Sequence, residues 1–300
     1  MPDSDGRGLT PPHLPHQFCH NQHTNKSQAM NGLETIIMPV LARMPASHLK
    51  LELIGGFAAH GQCFESIEWG FRRLTSDRHG RETLCRFFHS WAQTNNSAMT
   101  VVGIGNRMTL MVREGRPIAD EAALLRALVS LDRIVDEDLA VTNRTLHSQL
   151  FYDMATGIVG DDDWLSHRYI HPEALAFKAW KDANSLREED LVIALLTTLV
   201  HEIYTHGEVE FILPLFQRWL REHLEFDDRQ SARILAWITV HCGPTEKNHF
   251  FHALDAVGHY SDAMDLQIKD YSLGEIVGTY LRRKASLLEA LFPDVAVIAH

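Results

Sequence analysis

A chain of 300 residues with 45% hydrophobic content is long enough to bury a full core, and its 28 basic against 39 acidic residues leave a formal charge of −11. That balance argues against a nucleic-acid groove or an anionic membrane as the main partner and points to small molecules or proteins. Four cysteines, Cys19, Cys63, Cys85 and Cys242, lie far apart with no CxxC pair, so reduced cytoplasmic thiols are expected rather than a disulfide framework or a zinc ribbon.

From the N-terminus, residues 1–28 are rich in Pro, His, Gly and Asn and contain no apolar h-region. They are expected to form a disordered tail, followed by one all-α domain over 29–300. Apolar residues then recur at three and four spacing almost throughout, and alternating runs are scarce. Helices are predicted over 31–44, 48–74, 80–94, 98–113, 119–155, 172–183, 187–223, 228–241, 246–268 and 272–290. Turn and N-cap chemistry at SDRHGR, REGRP, GDDD, FDD and CGPT separates them, with Thr245 as the expected N-cap of the helix that follows. The run LVIALLTTLV, residues 191–200, is about half of what a bilayer requires.

Three segments carry chemistry. The first, DRIVDEDLAVTNRTLHSQLFYDM, places Glu137, Asp138, Asn143 and His147 among a periodic apolar set. The second, TTLVHEIYTHGEVE, puts Glu202 directly after a run that is apolar on all sides, which predicts a buried carboxylate that must be compensated. His201 and His206 are five residues apart, so they fall on different helix faces and do not form a zincin pair. The third segment, HFFHALDAVGH, is two-faced as a helix. With His249 as zero, His252, Asp255 and His259 fall at roughly −60°, −120° and −80°, while Phe250, Phe251, Leu254 and Val257 lie on the far side. Neutral imidazole and carboxylate on one face suit iron, zinc or copper. Glu246 and His249 add one Glu-x-x-His unit, of which diiron bundles use two, and no second copy exists in the chain.

Taken together, the three segments resemble the haem-oxygenase-like diiron oxidases, an all-α family whose metal ligands come from three core helices. Glu137 followed by His147-Ser-Gln-Leu-Phe matches the family's first motif, Glu202 stands where its bridging Glu is found, and His252 and His259 keep the seven-residue separation of its last motif. Asp255 is displaced by one position, the family's glycines between Glu and His are missing, and the gap from Glu202 to His252 is longer than usual. In an unbroken helix, ten residues would hold Glu137 and His147 roughly 15 Å apart, so Asn143 or its β-branched neighbours must interrupt it for both to serve one site. Without that interruption, Glu137 leaves the set and one metal remains.

The resemblance implies a haem-oxygenase-like helical bundle with two non-haem irons. His147, His259 and Glu202 would hold one iron, and Glu137, His252 and Asp255, with Glu202 bridging, the other. His201, His206, Glu246 and His249 would orient those ligands from behind, and His249 and His252 could exchange roles. The implied activity is an O2-dependent oxidation of a small amino-acid-like or fatty-acid-like molecule: N-oxygenation, hydroxylation or oxidative C–C cleavage. Implied partners are that substrate, O2 and an external electron donor, and a homodimer is compatible with the same reading. Rival readings on the same fold are haem ligation by His60 or His89 and metal-free chemistry at Cys242, as in the thiamine-degrading relatives. A helical adaptor with no enzymatic activity is the third.

Overall fold

The computed structural model describes residues 32–95, 98–139 and 145–293. The N-terminal tail expected over 1–28 and Asn143 lie outside these residues. Among the described residues there are thirteen α-helices and no strand, and no helix is long and apolar enough to cross a membrane.

The organising element is α9 (Leu191–Glu222), 32 residues started by Asp190, whose side chain accepts from the backbone N–H of Val192. Such a helix is about 48 Å long. Every residue from Leu191 to Val209 except Ile193 is buried, as a segment apolar all round must be when it runs through the middle of a domain. Against it lie α1 (Gly32–Ala42), α3 (Gly61–Thr75) and α12 (Thr245–Met264), and α12 also packs along α6 (Glu121–Asp138). At Gly207 an added Cβ would sit 2.6 Å from Ile37, so the close approach of α1 to α9 requires a residue without a side chain. A second layer is made by α13 (Leu273–Leu291) on α2 (His48–Ala58) and α3, α4 (Arg81–Asn95) on α8 (Pro172–Asp182), and α5 (Ala98–Arg113) on α6.

Two expected long helices are broken. The first, over 48–74, divides at Ala59 and His60, where His60 Nδ1 bonds back to the Gly56 carbonyl at 2.8 Å. The second, over 119–155, divides into α6, which ends at Asp138, and α7 (His147–Val159), which begins at His147. This is the interruption that the spacing of acid and imidazole demands. Gly160 closes α7 in the left-handed region, with φ +101, as the GDDD signal anticipates. The segment 228–241 forms α10 (Asp228–Ile234) and α11 (Ala236–His241), and α10 starts with a capping box in which Asp227 and Gln230 bond reciprocally. At α12, Thr245 is already helical and the capping position is Pro244, because Gly243 at φ +75 makes the turn and the fixed φ of proline then leads into the helix.

Candidate metal centre

The break between α6 and α7 brings two side chains together that a continuous helix would separate. Asp138, the last residue of α6, accepts from His147 Nδ1 at 3.1 Å. The last turn of α6 carries Asp136, Glu137 and Asp138 and no basic residue. This places three acidic side chains at the negative end of a helix dipole, where anions are unfavourable unless a cation is near.

Opposite them stands His241, at the end of α11, its ring 4.5 Å from that of His147. His241 Nδ1 donates to the Trp237 carbonyl at 2.6 Å, which leaves the Nε2 lone pair turned toward carboxylates: Asp138 Oδ1 at 3.9 Å and Glu246 Oε1 at 3.7 Å. Burial holds the His241 imidazole down to about 4, only partly offset by Asp138, so the ring is neutral and its lone pair faces anions. That is the arrangement of an imidazole oriented for a cation between them.

Glu246, in the first turn of α12, continues the cluster. It lies 3.8 Å from His249 Nδ1, which is 3.6 Å from Glu202 Oε2 on α9, and His249 Nε2 is 3.2 Å from Glu137 Oε2. Burial raises the Glu246 carboxyl well above its usual range, helped by the charges of Glu202 and Asp138. His249 is pushed down by burial, but the acids on both sides of its ring raise it well above its usual value. Burial likewise opposes ionisation of Asp138, yet the bond from His147 and then the charge of His249 hold its carboxyl low.

Two sets of donors can each converge on one ion: Asp138, His147 and His241, and Glu202, Glu246 and His249, the potential ligand atoms of each set lying within 4.8 Å of one another. They adjoin through the His241 to Glu246 approach. In the second set Glu202 Oε1 and Glu246 Oε2 are buried without a hydrogen-bond partner, and the ring nitrogens of buried His249 meet only carboxylate oxygens, at 3.2, 3.6 and 3.8 Å. Buried polar atoms are nearly always satisfied, so this concentration of unsatisfied acceptors and imidazole nitrogens fits a metal-binding donor set of carboxylate and imidazole.

The expected ligands are distributed unevenly. His147 and Glu202 are in the cluster, and Glu137 touches it through His249. The other three stand outside both donor sets: Asp255 is exposed, His259 is half-buried, and His252 is half-buried at the margin with its Nδ1 buried and unpartnered. The reason is the rotation of α12. Its buried arc follows Glu246, His249, Phe250, Ala253, Ala256, Val257 and Tyr260, a stripe of small and aromatic residues wedged between α6 and α9. His249 is at one edge of that stripe, and every further step round the helix toward His252 and Asp255 leads to solvent.

Of the residues expected to stand behind the ligands, Glu246 and His249 are instead in the cluster. His201 bonds through Nδ1 to the Tyr280 hydroxyl at 2.9 Å, and His206 is buried with Nδ1 unpartnered, held to about 4 by burial. Asp138 and His241 are the additions. Asp138 is in the first motif, beside the Glu137 that matches the family. His241 is separated from Glu246 by a non-helical turn, so no periodicity connects them.

A cavity of 230 Å3 adjoins the cluster, with Asp138, His147, Glu202, His241 and Glu246 on its wall. Among the described residues no cysteine lines it. Cys242 is pushed up to about 12 by burial and by Glu210 and Glu246, the opposite of an activated thiol. His60 has one ring nitrogen on the Gly56 carbonyl and the other 3.0 Å from Arg282. His89 is bonded to the Ser166 carbonyl at 3.0 Å. Neither borders the cavity, so nothing in their placement favours haem.

No protein-family model matches this chain, and no curated protein matches it. Among solved structures, the chain is similar to a TenA homologue from Pseudomonas syringae pv. tomato, with a TM-score of 0.62 and 12% identity over 84% of this chain and 94% of that one. The two share the haem-oxygenase-like helical fold. At that identity the likeness concerns the fold alone.

Proposed function

We propose that the chain is a non-haem, dinuclear iron oxidase or oxygenase that uses O2 to oxidise a small molecule held in the cavity beside the cluster. The observation that carries this reading is the buried Glu202, Glu246 and His249 donor set, with one oxygen of each carboxylate unpartnered, next to the Asp138, His147 and His241 set. Asp138, His147 and His241 would hold one iron and Glu202, Glu246 and His249 the other, with Glu137 positioned against His249. A bound iron pair supplies the electrons and Lewis acidity that O2 reduction requires.

The protein's own contribution is placement and exclusion of water. The Trp237 carbonyl fixes the tautomer of His241, Asp138 fixes the ring of His147, and Phe151 and Trp237 wall the cavity with rings 5.0 Å apart. By the family resemblance, the substrate is a small metabolite undergoing N-oxygenation, hydroxylation or oxidative C–C cleavage, with an external electron donor where the reaction requires one. The test is O2 uptake by protein loaded anaerobically with Fe(II). The expected result is consumption faster than by free Fe(II) at equal concentration, lost in Glu202→Gln. Uptake no faster than the free ion overturns the reading.

A further inference from the structure

From the cluster to the surface of α8 runs an unbroken file of oxidisable side chains. The ring of His241, one of the donors, is centred 4.8 Å from that of Trp237, and Trp237 is 5.2 Å from Trp91. Trp91 Nε1 donates to Glu208 Oε1 at 2.9 Å, while the Tyr204 hydroxyl donates to Oε2 of the same carboxylate at 2.6 Å. The Tyr204 ring is 4.9 Å from that of Tyr280, and Tyr280 is 6.2 Å from Trp180. Trp237, Trp91, Tyr204 and Tyr280 are buried, and Trp180 is half-buried.

Ring contacts alone do not set this file apart, because buried aromatic residues pack this way throughout protein cores. Its chemistry does. A phenylalanine ring is far harder to oxidise than indole or phenol, and the other way out of Trp237, toward Trp164, crosses Phe151 at 5.0 and then 6.1 Å. Between Trp237 and Trp180 every ring in the file belongs to Trp or Tyr. An indole N–H or phenol O–H becomes strongly acidic once its ring has lost an electron, so the oxidised ring persists where a base already accepts that hydrogen bond. Glu208, paired with Lys284 at 3.1 Å, is that acceptor for Trp91 and Tyr204 together.

We propose that this file is an electron relay: an oxidising equivalent left at the iron site when no substrate fills the cavity is drawn out through Trp237, Trp91, Tyr204 and Tyr280 to Trp180. This rests on the cluster being an iron site that reduces O2, as proposed above. At each step one electron passes inward, from a ring to its oxidised neighbour, and the protons of Trp91 and Tyr204 move to Glu208 and return when the ring is reduced. At Trp180 a small thiol in solution replaces the electron. Over a full cycle four thiols become two disulfides, and their four electrons and four protons reduce O2 to two waters. Without such an outlet the oxidant is spent on the ligands and on the rings beside them, a competing reaction that the protein has to exclude.

The relay is tested from both ends. In metal-free protein, a laser flash on tris(bipyridine)ruthenium(II) with persulfate oxidises exposed rings. A long-lived tyrosyl radical is expected by transient absorption, forming roughly tenfold more slowly in Trp180→Phe, absent in Tyr204→Phe and unchanged in Trp91→Phe. No such radical, or one indifferent to Trp180→Phe and Tyr204→Phe, overturns the proposal. In protein loaded anaerobically with Fe(II) and mixed with O2 without substrate, freeze-quenched electron paramagnetic resonance is expected to show an organic radical. Trp91→Phe should lower its yield roughly tenfold and shift oxidative damage, mapped by peptide mass spectrometry, from Trp180 to Trp237. Protein that holds two irons and consumes O2 but forms no radical overturns the relay and leaves the proposed function standing. Protein that holds no iron yet passes the flash experiment contradicts the proposed function and leaves the path from Trp180 to Tyr204 standing.

Discussion

Glu202 and Glu208 stand on the same helix, each 1% exposed, and their surroundings are opposite. Glu208 is completed by the protein: Trp91 Nε1 donates to Oε1 at 2.9 Å, the Tyr204 hydroxyl to Oε2 at 2.6 Å, and the Lys284 ammonium lies 3.1 Å away. Around Glu202 the ion-pair partner is an imidazole, His249, one carboxylate oxygen has no partner, and Glu246 is a second buried acid nearby. Equal burial of equal residues thus hides a difference in kind. The first site is a finished salt bridge closed by a lysine, and the second has only imidazoles to set against Asp138, Glu202 and Glu246, with His249 raised by its acids and His241 held neutral by burial. The contrast is the one the proposed function relies on: Glu208 is completed by protein partners, and Glu202 belongs to a donor set that could hold an ion.

The most severe way to break this contrast is to remove each acid. Glu208→Ala leaves Lys284 buried without its counter-charge and is expected to lower unfolding free energy by about 3–5 kcal/mol in denaturant titration. Glu202→Gln, measured without metal, is expected to leave stability unchanged or higher, since it removes a poorly compensated charge. Equal losses from both would erase the distinction.

Lys181 sharpens the comparison from the side of the cations. Burial, and then the charge of Lys284, push its ammonium down to about 7, below the 10.5 expected in the unfolded chain. Between those values the unfolded state binds the extra proton, so this group makes stability rise with pH from 7 to about 10. Lys181→Met is therefore expected to be more stable than the parent below pH 7, with the gap closing toward pH 10. Thermal denaturation across that range checks the sign.

A smaller effect separates the sites by ligand response. Divalent metal in excess should stabilise the parent by about 2.7 kcal/mol at a hundred times its dissociation constant, and Glu202→Gln should lose that response. The smallest effect belongs to Trp91→Phe, which removes one of the donors to Glu208. A cost of roughly 1–2 kcal/mol in denaturant titration is expected, with no change in the shift produced by metal.

Much of the fold was legible in the sequence because its signals are local. The apolar run before Glu202 predicts a helix buried on all sides, Gly160 ends α7, and FDD contains the Asp227 that caps α10. The break between α6 and α7 was legible only as the condition under which Glu137 and His147 could serve one site, while the periodicity itself carried a single helix over 119–155. What escaped was rotation and proximity across turns. The same periodicity that made α12 two-faced allowed either edge of its polar face to point inward, and the choice was made by Ala253 and Ala256, small enough to let α6 and α9 close on that stripe. His241 belongs to the cluster through the turn at Gly243 and Pro244, a relation that residue spacing does not encode.

Metal stoichiometry tests the central claim most directly. Protein loaded anaerobically with Fe(II), desalted and quantified by mass spectrometry, is expected to retain two irons per chain. Glu202→Gln, His241→Ala and His249→Ala should each retain fewer, and His252→Ala should retain both. A parent holding no iron above background, or His241→Ala and His249→Ala holding as much as the parent, would contradict it.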